Sequence, residues 1–160
     1  MNVTLKDRTT ETAAVYFERT RSPIIRKFLP QKAQTLEEAL ADFRKSQEPG
    51  ARSFGRTICA DGQYVGDVWC YCIDSGGSPQ AMVSYCVFEQ ELWGRGAASE
   101  ALGLFLEEIR ERFGLERLGA FTFMENAGSI RVLEKNGFRL AESFTENGVA
   151  SGYYERIPSL

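Results

Sequence analysis

The sequence predicts an α+β fold: one domain built on a single mixed sheet, with elements in the order β-α-α-β-β-β-α-β-α-β-β. Three observations lead there. Residues 53–88 hold three strand-like runs separated by short polar turns, which, with an initial strand, make an antiparallel meander. Residues 81–124 read as strand, amphipathic helix, strand, the pattern of a parallel β-α-β unit. Residues 138–157 close the chain with two runs around Glu146-Asn147-Gly148, a hairpin signal. The 160 residues carry no linker, repeat or low-complexity tract, so residues 1–160 are expected to share one core.

In order, residues 2–6 form the first strand, and Thr9 or Thr10 caps a helix to about Arg19. Pro23 interrupts the chain, Ile24, Ile25, Phe28 and Leu29 follow, and Pro30 closes that segment. Thr35-Leu36-Glu37-Glu38 is a capping box that opens a helix to about Lys45, ended by Glu48-Pro49-Gly50. Strands over 53–60 and 64–73 flank the turn Asp61-Gly62, and a third covers 81–88. Leu102, Phe105, Leu106, Ile109 and Phe113 fall on one face of a helix over 99–113, with Gly114 placed as its C-terminal cap. Residues 118–124 are continuously apolar, as in a buried parallel strand. Asn126 opens a helix over 127–135, and Asn136-Gly137 ends it so that Phe138 packs back.

The chemistry concentrates between strand 81–88 and helix 99–113, at Trp93-Gly94-Arg95-Gly96. The first N–H groups of a helix have no partner in the helix and sit at the positive end of its dipole. Gly94 and Gly96 let an anion approach the backbone, and Arg95 adds a charge beside them, which suits a phosphate or pyrophosphate. The spacing is neither the dinucleotide fingerprint nor a P-loop.

Composition removes several alternatives. The formal net charge is −3, so no bulk attraction to nucleic acid or anionic lipid is expected. No apolar run reaches membrane-spanning length and the first residues show no leader pattern, which makes a cytoplasmic location the expectation. The absence of histidine excludes His-dependent triads and dyads, and Cys59, Cys70, Cys72 and Cys86 lack the paired spacing of a zinc site. They read as free, mostly buried thiols, Cys70 and Cys72 sharing a strand face. No metal is expected.

The segment Trp93-Gly94-Arg95-Gly96-Ala97-Ala98-Ser99-Glu100-Ala101 resembles the acetyl-CoA loop of the GNAT superfamily of N-acetyltransferases, in the branch typified by ribosomal-protein N-terminal acetyltransferases (RimJ/RimL-like). The run from Asn126 to Phe138, Asn-Ala-Gly-Ser-Ile-Arg-Val-Leu-Glu-Lys-Asn-Gly-Phe, is similar to the second motif of that branch, and Phe28-Leu29-Pro30 through Ala39 fits its N-terminal helices. The resemblance implies splayed central parallel strands, with the pantetheine arm of acetyl-CoA along the edge of the first, at Cys86, Val87 and Phe88. It implies that backbone N–H groups of Trp93, Gly94, Arg95, Gly96, Ala97, Ala98 and Ser99 hold the pyrophosphate, and that Asn126 and Ser129 face the thioester end. Two positions depart from the superfamily pattern. Glu91 stands where Gln or Arg is common, and Leu133 replaces the tyrosine that protonates the leaving thiolate in many members, a loss the branch shares.

The activity implied is direct transfer of acetyl from acetyl-CoA to a primary amine, on a protein or peptide N-terminus or a small molecule. Without histidine, Glu89 and Glu125 acting through water are the candidate bases, and Ser129, then Tyr85, the candidate proton donors; Cys86 is not expected to carry the acetyl group. The alternatives are a non-catalytic acyl-CoA-binding module of the same fold and a nucleotide-binding β-α-β protein. A homodimer is left open. On the acceptor side, the resemblance implies walls from the N-terminal helices and the last hairpin. These carry Tyr16, Phe17, Arg19, Arg21, Arg26, Lys27, Phe28, Tyr153 and Tyr154. That basic and aromatic lining predicts an acceptor neutral or acidic around its amine, and spermidine as a poor one.

Overall fold

The computed structural model describes residues 1–157; residues 158–160, part of the single domain expected from sequence, lie outside the described residues. The elements are β1 (Val3–Asp7), α1 (Thr10–Arg19), α2 (Pro23–Arg26), α3 (Leu36–Ser46), β2 (Phe54–Ala60), β3 (Gln63–Asp74), β4 (Gln80–Val87), α4 (Ala97–Phe113), β5 (Arg117–Phe123), α5 (Ala127–Lys135), β6 (Arg139–Glu146) and β7 (Val149–Arg156). The seven strands make one sheet in the order β1-β2-β3-β4-β5-β7-β6. The meander β1 to β4 is antiparallel throughout. The last hairpin folds back so that β7, not β6, pairs with β5.

Local chemistry sets the element ends. Thr9 caps α1 in a reciprocal box with Thr12. Thr35 Oγ1 accepts the Glu38 N–H at 3.1 Å, but the Glu38 carboxylate reaches the Gln34 N–H at 2.8 Å, so the expected box closes one residue early. Asp61 and Asn147 take left-handed φ values of 50° and 52° ahead of a glycine, the geometry of two tight hairpin turns. Pro23 does more than interrupt: it starts the one-turn α2 at a position where no N–H is needed.

Two expectations change. Cys70 and Cys72 do not share a face, because a register shift between Tyr71 and Asp74, with Cys72 at φ 53°, turns Cys72 outward while Cys70 is fully buried. Strand β5 is not of the buried parallel kind along its length. It pairs with β4 only through Gln80–Met82 and Arg117–Gly119, and Phe121 is 58% exposed.

The main core lies between the sheet and α4, α5. Leu102, Phe105 and Ile109 of α4 are fully buried against Val68, Cys70 and Val83, and the Phe105 ring stacks on Phe54 at 5.9 Å. Each such side chain removed from water contributes about 1.5–3 kcal/mol. On the other face, Tyr16 of α1 meets Trp69 and Phe88 edge-on. Beneath it, Asp67 is 2% exposed and receives hydrogen bonds from Arg8 at 3.1 and 3.0 Å and from the Tyr64 hydroxyl at 2.7 Å. Burial raises the Asp67 pKa against the opposing pull of Arg8. Among the described residues no helix is long and apolar enough to cross a membrane.

Strands β3 and β4 approach most closely at Gly66, where an added Cβ would lie 2.1 Å from the Cys86 carbonyl oxygen. Backbone cannot yield as a flexible side chain would. Gly66→Ala is therefore expected to lower unfolding free energy by about 1–3 kcal/mol in urea denaturation; an unchanged midpoint would mean that β4 is not held at this spacing.

Candidate active site

The site begins where β4 and β5 stop pairing. Phe88 donates its N–H to the Val65 carbonyl at 2.9 Å, towards β3. Alternation along the antiparallel register then turns the backbone of Cys86 and Ser84 to β3, and that of Val87, Tyr85 and Val83 to the β5 side. Since β4–β5 pairing ends at Met82 and Gly119, with the Val83 N–H spent on the Gly119 carbonyl and the Val87 carbonyl taken by the Trp93 indole, the groups left facing an open gap are the Val83 C=O, both backbone groups of Tyr85 and the Val87 N–H. Of Cys86, Val87 and Phe88, expected along this edge, only Val87 offers its backbone N–H to the gap.

The gap opens into a cleft of about 690 Å³. At one end stands the glycine loop. Gly94 and Gly96 adopt φ 78° and 89°, a region that disfavours a side chain. The second acts as N-cap of α4, so the helix starts at Ala97, two residues before the sequence places it. Trp93 and Arg95 spend their N–H groups inside the turn, on the Gln90 and Leu92 carbonyls at 3.0 and 3.2 Å. The first helical N–H with a backbone acceptor is that of Glu100, bonded to Gly96. The N–H groups of Gly94, Gly96, Ala97, Ala98 and Ser99 thus remain at the positive end of a 17-residue helix. Trp93 fastens this loop to the strand by donating its indole Nε1–H to the Val87 carbonyl at 2.7 Å.

Side-chain charge reaches the loop from an unexpected element. Arg95 is exposed and does not line the cleft. Arg131 and Lys135, one turn apart on α5, do line it, and Asn136 holds the end of that helix to Ser99 through the Ser99 carbonyl and hydroxyl at 3.2 and 3.3 Å. The i, i+4 spacing of the two basic residues was the available signal. Glu91 is exposed and also outside the lining.

At the other end Asn126 and Ser129 come from the first turn of α5. The Asn126 carboxamide accepts the Ser129 N–H at 3.1 Å, which makes it the helix cap. The Ser129 hydroxyl lies 2.8 Å from the Tyr85 hydroxyl, and Tyr85 also donates within reach of the Ser129 carbonyl, at 3.1 Å. The two candidate proton donors therefore form one pair that bridges β4 and α5 across the gap. Burial raises the Tyr85 pKa above its ordinary value, against the smaller lowering effect of Ser129, so the phenol is neutral at physiological pH. Leu133 is 1% exposed and belongs to the core. The Cys86 thiol is pushed up to about 12 by burial, which removes it as a nucleophile at neutral pH.

The two candidate bases separate. Glu125 is exposed and lines the cleft. Glu89 does not: its carboxylate is ion-paired with Arg19, whose guanidinium also lies 4.6 Å from the Phe88 ring centre. Among the described residues, the basic acceptor lining expected from sequence does not form either. Of Tyr16, Phe17, Arg19, Arg21, Arg26, Lys27, Phe28, Tyr153 and Tyr154, only Phe28 lines the cleft. Phe17 and Tyr154 are core residues, Arg21 pairs with Glu18, and Lys27 lies against the outer ring of Phe28. Ile24, Ile25, Leu29 and Phe121, which periodicity assigned to no site, take their places.

Comparison with known proteins bears on this arrangement. Residues 2–139 match the family model described as an acetyltransferase (GNAT) domain. The chain belongs to the GNAT acetyltransferase family. It is 29% identical over 102 residues to a probable N-acetyltransferase, YjcK, of Bacillus subtilis (strain 168), a match covering 64% of this chain. The chain spans 56% of the length of that curated relative. Among solved structures, the ribosomal-protein-S5-alanine acetyltransferase of Vibrio fischeri superposes with a TM-score of 0.82 at 17% identity, over 98% of this chain and 93% of that one. RimJ of Mycobacterium smegmatis, in complex with CoA-disulfide, gives 0.83 at 20% identity over 97% and 81%. The aminoglycoside acetyltransferase AAC(6')-Ib with coenzyme A gives 0.80 at 16% identity over 98% and 95%. At these identities the structural likeness establishes the GNAT fold, with the seven-stranded mixed sheet described above.

The Asn126 cap is the local element on which Ser129 depends. Asn126→Ala is expected to lower stability by about 1 kcal/mol in thermal or denaturant unfolding; no loss would show that the cap hydrogen bond does not hold the first turn of α5.

Proposed function

We propose that this protein is an acetyl-CoA-dependent N-acetyltransferase of the RimJ/RimL-like branch, which transfers acetyl directly to a primary amine on a peptide N-terminus or a small molecule. The observation that carries the reading is a continuous line of unpaired backbone groups. It runs from the first turn of α4, along the gap edge of β4, to the Tyr85–Ser129 pair. These groups fit the parts of acetyl-CoA in order. The N–H groups of Gly94, Gly96, Ala97, Ala98 and Ser99, with Arg131 and Lys135 alongside, suit the pyrophosphate. The free edge formed by the Val83 C=O, the Tyr85 backbone and the Val87 N–H suits the amides of pantetheine, as an added strand would.

Acetyl-CoA supplies the activated acetyl group. The protein's own residues then have three tasks. The Val87 N–H faces the gap and polarises a carbonyl placed there. Glu125, at the end of β5, takes the proton of the attacking ammonium through water. The Tyr85–Ser129 pair holds a proton for the departing sulfur, so the phenol absent at position 133 is offered from the facing wall. Glu89 is assigned instead to fastening α1 to the end of β4 through Arg19.

Acetyl-CoA binding is tested first. Gly96→Asp forces a side chain into a left-handed position and sets a carboxylate at the helix start, and is expected to abolish binding with the fold retained. Joint replacement of Arg131 and Lys135 by alanine should weaken binding several-fold at low salt and less at high salt. Wild-type affinity in folded Gly96→Asp would overturn the loop assignment.

Turnover is tested by release of free CoA with a panel of amines and peptides. Ser129→Ala and Tyr85→Phe are each expected to slow kcat by about 10- to 100-fold, with acetyl-CoA affinity kept. Because the Tyr85 pKa is raised, activity should climb with pH as the acceptor ammonium loses its proton, without a fall below pH 10 from this phenol. A descending limb below that pH, removed by Tyr85→Phe, would contradict the assignment. Tight acetyl-CoA binding with no amine acetylated would make the protein a binding module.

A further inference from the structure

The acceptor end of the cleft is apolar and aromatic, and Glu125 is the carboxylate among its described lining residues. Phe121 of β5 is 58% exposed yet lines the cleft, an unusual place for so large an apolar side chain. Two neighbours fix its ring. Tyr153 lies across it at 5.3 Å between ring centres, and Phe144 meets it edge-on at 6.1 Å. The facing wall comes from α2 and the chain beyond it. There Ile24 is 44% exposed and Phe28 packs towards Phe123 at 6.5 Å, and both line the same cleft. The register Phe121↔Tyr153 and Glu142↔Tyr153 shows that this shelf continues across β7 to β6 on one sheet face.

Charge around the shelf is sparse and negative: Glu125 lines the cleft, and Glu142, opposite Tyr153, stands where the shelf reaches β6. Glu125 is the charged lining residue that follows β5 directly; the other two, Arg131 and Lys135, belong to α5, whose end is tied to Ser99. The basic residues of the N-terminal helices do not line the cleft: Arg19 pairs with Glu89, Arg21 with Glu18, Arg26 donates to Gln31, and Lys27 lies against the Phe28 ring. A primary ammonium is therefore drawn to Glu125, while whatever carries it meets rings and aliphatic carbons instead of cations.

We propose that the acceptor presents its amine next to a large apolar side chain, as a peptide does whose N-terminal residue is leucine, methionine or phenylalanine, and that Phe121 is the residue that selects it. This rests on the acetyltransferase reading of the same cleft. It replaces the basic walls expected from sequence with an apolar one, and keeps the expectation of a neutral acceptor and of spermidine as a poor one. A small N-terminal residue such as serine or glycine would leave the shelf hydrated, and a polyamine would place a second cation on an apolar surface. Both lose the burial that an aliphatic or aromatic side chain gains.

The experiment measures kcat/KM for peptides of one sequence that differ only in the first residue (phenylalanine, leucine, serine, glycine), with spermidine alongside, for the parent and for Phe121→Ala. The expected result is a preference on the order of tenfold or more for phenylalanine and leucine over serine and glycine. Phe121→Ala should shrink that ratio to about 3-fold or less, while its melting shift with acetyl-CoA matches the parent's. Phe28→Ala, on the facing wall, should reduce the ratio in the same direction. Equal turnover of all four peptides, preference for serine, glycine or spermidine, or an unaltered ratio in Phe121→Ala would overturn this inference and leave the transferase reading standing. A failure to acetylate any amine would overturn both.

Discussion

The molecule depends on an interrupted pairing. Strands β4 and β5 share three residue pairs and then part, in the middle of a seven-stranded sheet. Unpaired backbone in a sheet interior is costly unless something else meets its hydrogen-bonding groups. The fold supports the gap from both sides. Tyr85 reaches over it to Ser129, Trp93 closes on the Val87 carbonyl, and α4 packs its buried face against β2, β3 and β4 so that the strand cannot drift across. A gap held open in this way is a standing template for an extended ligand with amide groups.

The same interruption explains the placement of charge. With β4 and β5 apart, the first turn of α4 and the last turn of α5 meet at one mouth, where Asn136 joins them. The helix dipole, five free N–H groups and two basic side chains then belong to the same cleft. The opposite mouth receives Phe121 and Glu125, the residues β5 carries after it leaves β4. One structural event thus produces an electropositive end, rich in N–H groups, and an apolar, acidic end within a single cleft of about 690 Å³.

Most of the architecture was legible because local rules acted without conflict. Helix caps at Thr9, Thr35 and Asn126, the Asp61-Gly62 and Asn147-Gly148 turns, and the apolar stripe of α4 all lie where the sequence puts them. The glycine loop was legible for the same reason: two glycines before an amphipathic helix have a local mechanism. What escaped depended on pairing between distant strands. The run 118–124 is apolar throughout, and nothing within it reveals that Phe121 faces open space where β4 has left. The bulge that turns Cys72 outward is a β3–β4 register event, invisible in a two-residue spacing. The partners of the basic residues of α1, Glu89 and the Phe88 ring among them, lie far away in sequence, so nothing local shows that these side chains leave the cleft wall that the resemblance implies for them.

Residue-resolved amide hydrogen exchange with and without acetyl-CoA tests the central claim most directly. If the gap and the loop hold the ligand through backbone groups, the amides of Tyr85, Val87, Gly94, Gly96, Ala97, Ala98 and Ser99 slow on addition. Those of Phe88, Trp93 and Arg95, whose hydrogen bonds already exist in the free protein, change little. Slowing confined to other segments, or none along β4 at saturating acetyl-CoA, would contradict the account.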